Sequence, residues 1–237
     1  MDLTDHRKPL PMSVKELEET FGVTTPDFVL VSGDAYIDHP SFGTAIIGRV
    51  LASRGYSVGI IAQPDWHSAE GFKVFGRPRL AFLVNAGNMD SMVNHYTSSK
   101  KRRGADNYSP GGKMGLRPDR AVTVYSNRVR EAYGGVPLII GGIEASLRRF
   151  AHYDYWDDKV RRSVLVDSGA DILSYGMGER QTVEIADALA SGLSVHDITY
   201  VAGTCYMAGS LENVYEYDTC RQHKARRCAF LRRKRRL

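Results

Sequence analysis

Runs in which almost every position is apolar constrain this chain most. Phe28-Val29-Leu30-Val31, Val58-Gly59-Ile60-Ile61-Ala62 and Leu80-Ala81-Phe82-Leu83-Val84 offer no polar face. Such runs suit strands covered on both sides, as in a parallel sheet. The first ends in Ser32-Gly33-Asp34 and the third in Asn85-Ala86-Gly87-Asn88. Between the first two, Ala45, Ile46, Ile47, Val50 and Leu51 recur at helical spacing, and Gly55 marks the stop. This predicts a strand–helix–strand unit with the usual right-handed crossover.

The alternation continues. Ser13 and Glu16 predict a capping box opening a helix to Thr20. Further helices are expected from near Asp90 with Met92 and Val93, from about Asp119 to Ala132, from Lys159 to Val166, and from Thr182 to Ala190. Strands are expected at Val136–Ile140, at Ala170–Tyr175 and, last, near Ile198–Val201. Ser98–Pro118 is rich in glycine, proline and charge without periodicity and reads as a loop; so long a loop in a compact domain is more often functional or disordered than decorative. The pattern predicts an α/β fold, a doubly wound, mostly parallel open sheet of Rossmann type. The 237 residues hold five or six such units, too few for an eight-unit barrel. The expected division is an extension with a short helix (1–26), a Rossmann-like domain (27–204) and a tail (205–237) whose character changes from about residue 218.

Charge follows that division. Nine of the 32 Lys and Arg lie between Arg221 and Leu237, where no Asp or Glu occurs; without them 23 basic residues face 27 acidic ones. The net charge of +5 therefore belongs to the tail, and the body has no global charge to recruit nucleic acid. A basic nucleic-acid arm is the competing reading of the tail, beside translation in a wrong frame or a truncated gene. No run approaches the roughly 20 apolar residues of a membrane span, and the polar start carries no secretory signal, so a cytoplasmic protein is expected. Cys205, Cys220 and Cys228 lie fifteen and eight positions apart, matching no zinc or cluster motif.

Ligands of such folds bind beyond the carboxyl ends of the strands. The candidate binding residues are therefore Gly33, Asp34, Tyr36, Asp38 and His39; Asn85, Gly87 and Asn88; Gly141, Gly142 and Glu144; and Gly176, Gly178 and Glu179. Glycine there lets backbone approach a ligand and leaves amides free to donate, although each glycine also suits a plain tight turn. Asp38 and His39 read equally as an acid–base pair, a metal ligand or a hydrogen-bonded loop. His152, Tyr153, Tyr155 and Trp156 concentrate aromatic surface suited to a ligand wall, a docking wedge or local packing. No P-loop, Gly-x-Gly-x-x-Gly turn or nucleophile elbow is present.

Several long strings, among them Val31-Ser32-Gly33-Asp34-Ala35-Tyr36-Ile37-Asp38-His39-Pro40, Asn85-Ala86-Gly87-Asn88-Met89-Asp90-Ser91-Met92, Gly141-Gly142-Ile143-Glu144-Ala145-Ser146-Leu147-Arg148-Arg149 and Ala151-His152-Tyr153-Asp154-Tyr155-Trp156, closely resemble the amino-terminal region of YgiQ-type radical SAM proteins, from about Pro9 to Tyr217. The resemblance implies a domain similar in shape to cobalamin-binding domains, followed in cis by a radical SAM barrel. In the full-length family that barrel holds a 4Fe-4S cluster through Cys-x-x-x-Cys-x-x-Cys and binds S-adenosylmethionine. No cysteine here fits that motif, so the chain is expected to hold no cluster and to lack catalysis alone. Cobalamin through a histidine lower ligand would need Asp-x-His-x-x-Gly, whereas Asp38 and His39 are adjacent and Gly43 lies four residues on. A stand-alone corrinoid- or nucleotide-binding module is the alternative.

Overall fold

A computed structural model describes residues 8–208 and the backbone of 228–231. In chain order the elements are α1 (Val14–Phe21), β1 (Phe28–Ser32), α2 (Gly43–Ser53), β2 (Val58–Ala62), β3 (Ala81–Asn85), α3 (Ser91–His95), α4 (Ala121–Tyr133), β4 (Leu138–Ile140), α5 (Gly142–Leu147), β5 (His152–Asp154), β6 (Lys159–Arg161), α6 (Val164–Ser168), β7 (Ile172–Ser174), α7 (Glu179–Ala190), β8 (Thr204–Ala208) and β9 (Cys228–Leu231). The main sheet runs β2-β1-β3-β4-β7-β8-β9, parallel except that β8 pairs antiparallel with β7. The predicted α/β class and open sheet are observed. The order reverses between β1 and β3, the kind of switch point at which doubly wound sheets open a crevice.

The apolar runs divide between two cores because successive strand side chains point to opposite faces. Val29 and Val31 join Phe82, Val84, Tyr125, Leu138 and Leu165 on the α4–α6 face. Phe28 and Leu30 join Leu51, Ile60, Ile139, Ile172 and Ile185 on the α2–α7 face. At α1, Ser13 Oγ accepts from Glu16 N at 3.3 Å, while the Glu16 carboxylate accepts from Met12 N at 2.7 Å. Gly22, at φ 71°, closes that helix in the left-handed region.

Two predicted elements differ. Lys159–Arg161 is not helix: it is β6, paired antiparallel with β5. Asp158 turns the chain at φ 52°, and Asp154 Oδ1 accepts from Trp156 N and Asp157 N, an Asx-type turn that outcompetes a helical start. The helix begins only at Val164, capped by Ser163. Ile198 and Val201 are buried but form no strand. They anchor the connection, Gly203 turns it at φ 80°, and the strand follows at Thr204–Ala208. The expected division at residue 205 thus falls inside β8, where Cys205 is fully buried. Cys220 and most of the basic tail (209–227 and 232–237) lie outside the described residues.

Candidate functional site

The strand ends split into two zones. On the α4 side the loop 98–118 is pinned down by a buried ion cluster. Arg117, 1% exposed, donates through Nη1 to Asp34 Oδ1 (2.8 Å) and Ala86 O (2.7 Å), and through Nη2 to both oxygens of Asp106 (2.9 and 2.8 Å). Ala35 N donates to Tyr108 O at 2.9 Å, and Gln63 Nε2 bridges Gly33 O and Ser109 Oγ. The glycines here leave room for this strut. A Cβ on Gly33 would stand 2.3 Å from Ala86 O, and one on Gly87, at φ 99°, would stand 2.0 Å from Asp34 Oδ1. Burial pushes the Asp34 carboxyl above its ordinary value, against the opposing Asn88 N–H and Arg117. Burial would also raise Asp106, but the bidentate Arg117 outweighs it and holds the carboxyl below the usual range.

On the α2–α7 side the edge stays open. A cleft of about 260 Å³ lies between these helices over β1, β3, β4 and β7. Of the sequence-predicted residues, Asn85, Gly87, Asn88, Gly141, Gly142, Gly176, Gly178 and Glu179 line it. Its apolar walls include Ile46, Ile47, Leu83, Ile139 and Ile140. Asn85 is held by Thr44 (Nδ2 to Oγ1, 3.2 Å) and accepts from Gly87 N at 2.8 Å. Ser174 lines the cleft while 7% exposed, and its hydroxyl has no hydrogen-bond partner. Neither α2 nor α7 has a side-chain cap at the cleft, so their first N–H groups face that end unbonded by side chains.

The other predicted residues lie elsewhere. Gly33 and Asp34 belong to the strut. The Tyr36 hydroxyl accepts from Leu10 N at 3.2 Å, and burial pushes its pKa up to about 12. Asp38 pairs with Arg49, and exposed His39 accepts from Ser41 N at 3.1 Å in a local turn. Asp38 and His39 therefore serve different partners and form no acid–base dyad. Glu144, 1% exposed, accepts from Ser91 N at 2.8 Å and Val122 N at 3.0 Å, capping α3 and α4 together. It supports the scaffold beneath the edge.

His152 and Tyr153 lie on β5, with Tyr155 and Trp156 in the hairpin turn. Asp154 underpins it, paired with Arg120 at 2.8 Å and Arg161 at 2.7 Å. Burial would raise this carboxyl, but hydrogen bonds from Arg120 and Asp157 N outweigh it and bring the pKa to about 2. Tyr155 donates to Ser98 O at 2.7 Å and carries Lys100 4.8 Å above its ring. His152 faces a second cavity, of about 230 Å³, with Arg120, Arg148 and Arg161, all ion-paired. Tyr153 and Val160 are exposed, as are Ile143, Leu147, Phe150 and Met177.

Sequence reasoning missed Arg117, Asp106, Thr44 and Ser174. The first two sit in the loop set apart by its length, which was their one signal. Ser174 stands two residues before a flagged glycine, but nothing local marks its hydroxyl as unpartnered. Among the described residues no group of three His, Cys, Asp or Glu side chains could hold a metal, and no helix is long and apolar enough to cross a membrane.

A UPF0313 protein of Clostridium perfringens is 67% identical over 190 residues, covering 80% of this chain and 29% of the relative. A UPF0313 protein of Clostridium botulinum is 58% identical over 208 residues, covering 88% and 32%. The chain thus spans under a third of the length of the curated relatives it matches. Among solved structures, the radical S-adenosylmethionine methyltransferase TsrM of Kitasatospora setae, with cobalamin and a [4Fe-4S] cluster bound, aligns at a TM-score of 0.48 and 17% identity, over 76% of this chain and 27% of that one. The model of the radical SAM N-terminal family matches residues 9–235, extending into the basic end. The chain belongs to the radical SAM N-terminal family.

Proposed function

We propose that this domain is the ligand-holding and docking part of a longer cytoplasmic iron–sulfur protein, with cluster, S-adenosylmethionine and bond-breaking chemistry all located in the remaining polypeptide. The observation that carries this is the open cleft over β1, β3, β4 and β7, with eight of the strand-end residues gathered in it. Ligands of doubly wound sheets sit at this position. The loop 98–118 closes the other half of the same edge, which confines a ligand to the α2–α7 side.

The docking surface is placed on α5 and the β5–β6 hairpin, where Leu147, Tyr153 and Val160 are exposed. Large exposed apolar side chains of this kind are material for an interface. Its occupant is the further polypeptide that the relatives carry, of whose length the matched segment is only 29–32%. A corrinoid is the larger of the two ligand classes considered for the cleft. Among the described residues no histidine lines it, so none of them would supply a corrin's lower ligand there.

Gly178→Val tests the cleft. Gly178 has φ −86°, and a Cβ there meets Ser174 Oγ, Ile47 Cδ1 and Thr182 Oγ1 at 3.4–3.8 Å, which are ordinary contacts. The variant is expected to fold with a melting temperature within about 2 °C of the parent. In a panel of corrinoids and nucleosides, a ligand that raises the parent's melting temperature should leave the variant's unchanged. Equal stabilisation of both would place the ligand elsewhere.

A further inference from the structure

Resting on the reading of this cleft as a ligand site, we infer that it takes a ribonucleoside, an uncharged planar ring with a ribose and no phosphate. Size comes first. At about 260 Å³ the cleft lies below the roughly 300–1,000 Å³ of pockets for drug-sized ligands, let alone a macrocycle. The lining agrees with an apolar ring: Ile47, Leu83 and Ile139 contribute aliphatic surface, and Gly141, Gly176 and Gly178 contribute backbone without side chains. Burying an apolar ring against such surface is favourable.

Charge decides against a phosphate. Among the described residues no Lys, Arg or His lines the cleft, and the one ionisable lining residue is Glu179 at the first position of α7. A phosphate would gain the two uncapped helix N-termini but would face that carboxylate with no guanidinium or ammonium to offset it. Hydroxyl groups suit the same atoms. The Glu179 carboxylate accepts from vicinal hydroxyls, the use that dinucleotide folds make of an acidic side chain on ribose. Ser174 offers a buried hydroxyl that lacks a partner in the protein, and such groups are seldom left unsatisfied in native structures.

The test is equilibrium binding to the full 237-residue chain. The probes are adenosine, guanosine, cytidine and uridine, with AMP, 2′,3′-dideoxyadenosine and hydroxocobalamin as comparators. At least one nucleoside should bind saturably, adenosine about tenfold more tightly than AMP or the dideoxy compound. Glu179→Gln, on a partly exposed helix start, should weaken adenosine about tenfold while narrowing its margin over AMP, a split that general destabilisation would not produce. AMP or the dideoxy compound binding as tightly as adenosine would overturn the nucleoside assignment. Binding of hydroxocobalamin alone, lost in Gly178→Val, would overturn it too but leave the cleft as a ligand site. If no probe binds, the ligand-site reading falls with it.

Discussion

At the scale of single residues the molecule is decided by buried charge. Arg117 is the one cation between two buried carboxylates, and it also takes the Ala86 carbonyl. Removing one member of such a cluster leaves uncompensated charge inside, so Arg117→Met should cost about 3–5 kcal/mol in urea melts. Asp34→Asn with Asp106→Asn in the same background should recover part of that loss. The carboxylates also set the acid limit. Asp106 and Asp154 have folded-state pKa values below those of the unfolded chain, so the stability they add is present above about pH 4. It is lost as pH falls through their folded values, about 2 for Asp154. Asp34, raised by burial, works the other way and relieves a cost as it protonates. Melting temperature should therefore hold from pH 7 to 5 and fall below about 4, with a shallower fall in Arg120→Gln. The sequence flagged Asp34 but for the wrong partner. Its residue type and its place after a strand were legible; the arginine 83 positions away that claims it was not.

At the scale of elements, strands and long helices were legible because their signals are local. A run apolar at each position means two covered faces, and α2, α4 and α7 carry helical spacing over eleven or more residues. The hairpin and β8 were not: the hairpin strands are three residues long and have no period to read, and β8, five residues of mixed polarity, takes its pairing from distant chain. Glu144 shows the same limit. Its position after Gly141-Gly142 suggested a ligand, yet it caps the starts of α3 and α4. Glu144→Ala should cost about 2–4 kcal/mol, measured by chemical unfolding, because two buried N–H groups lose their acceptor. The docking face can be checked without disturbing the core. Tyr153→Asp with Val160→Asp, both at exposed positions, should leave the melting temperature within about 2 °C. The pair should also abolish co-purification with the carboxy-terminal remainder of the Clostridium perfringens relative. Undiminished co-purification would move the interface elsewhere.

At the scale of the whole molecule, one sheet with a separate core on each face carries a strand-end edge that is half plugged and half open. The plug is an ion cluster buried under a loop, and the opening is an apolar slot with few polar groups. Among the described residues, no group of three His, Cys, Asp or Glu side chains that could hold a metal is assembled at either. Under the proposed function, ligand holding and docking belong to this chain and cluster chemistry to the rest of the longer protein. Anaerobic reconstitution of the purified 237-residue chain with iron and sulfide, followed by iron analysis, tests that most directly. The account expects far less than one iron per chain and no cluster absorbance, with the full-length relative, treated identically, taking up about four. A stoichiometric cluster in this chain alone would contradict it.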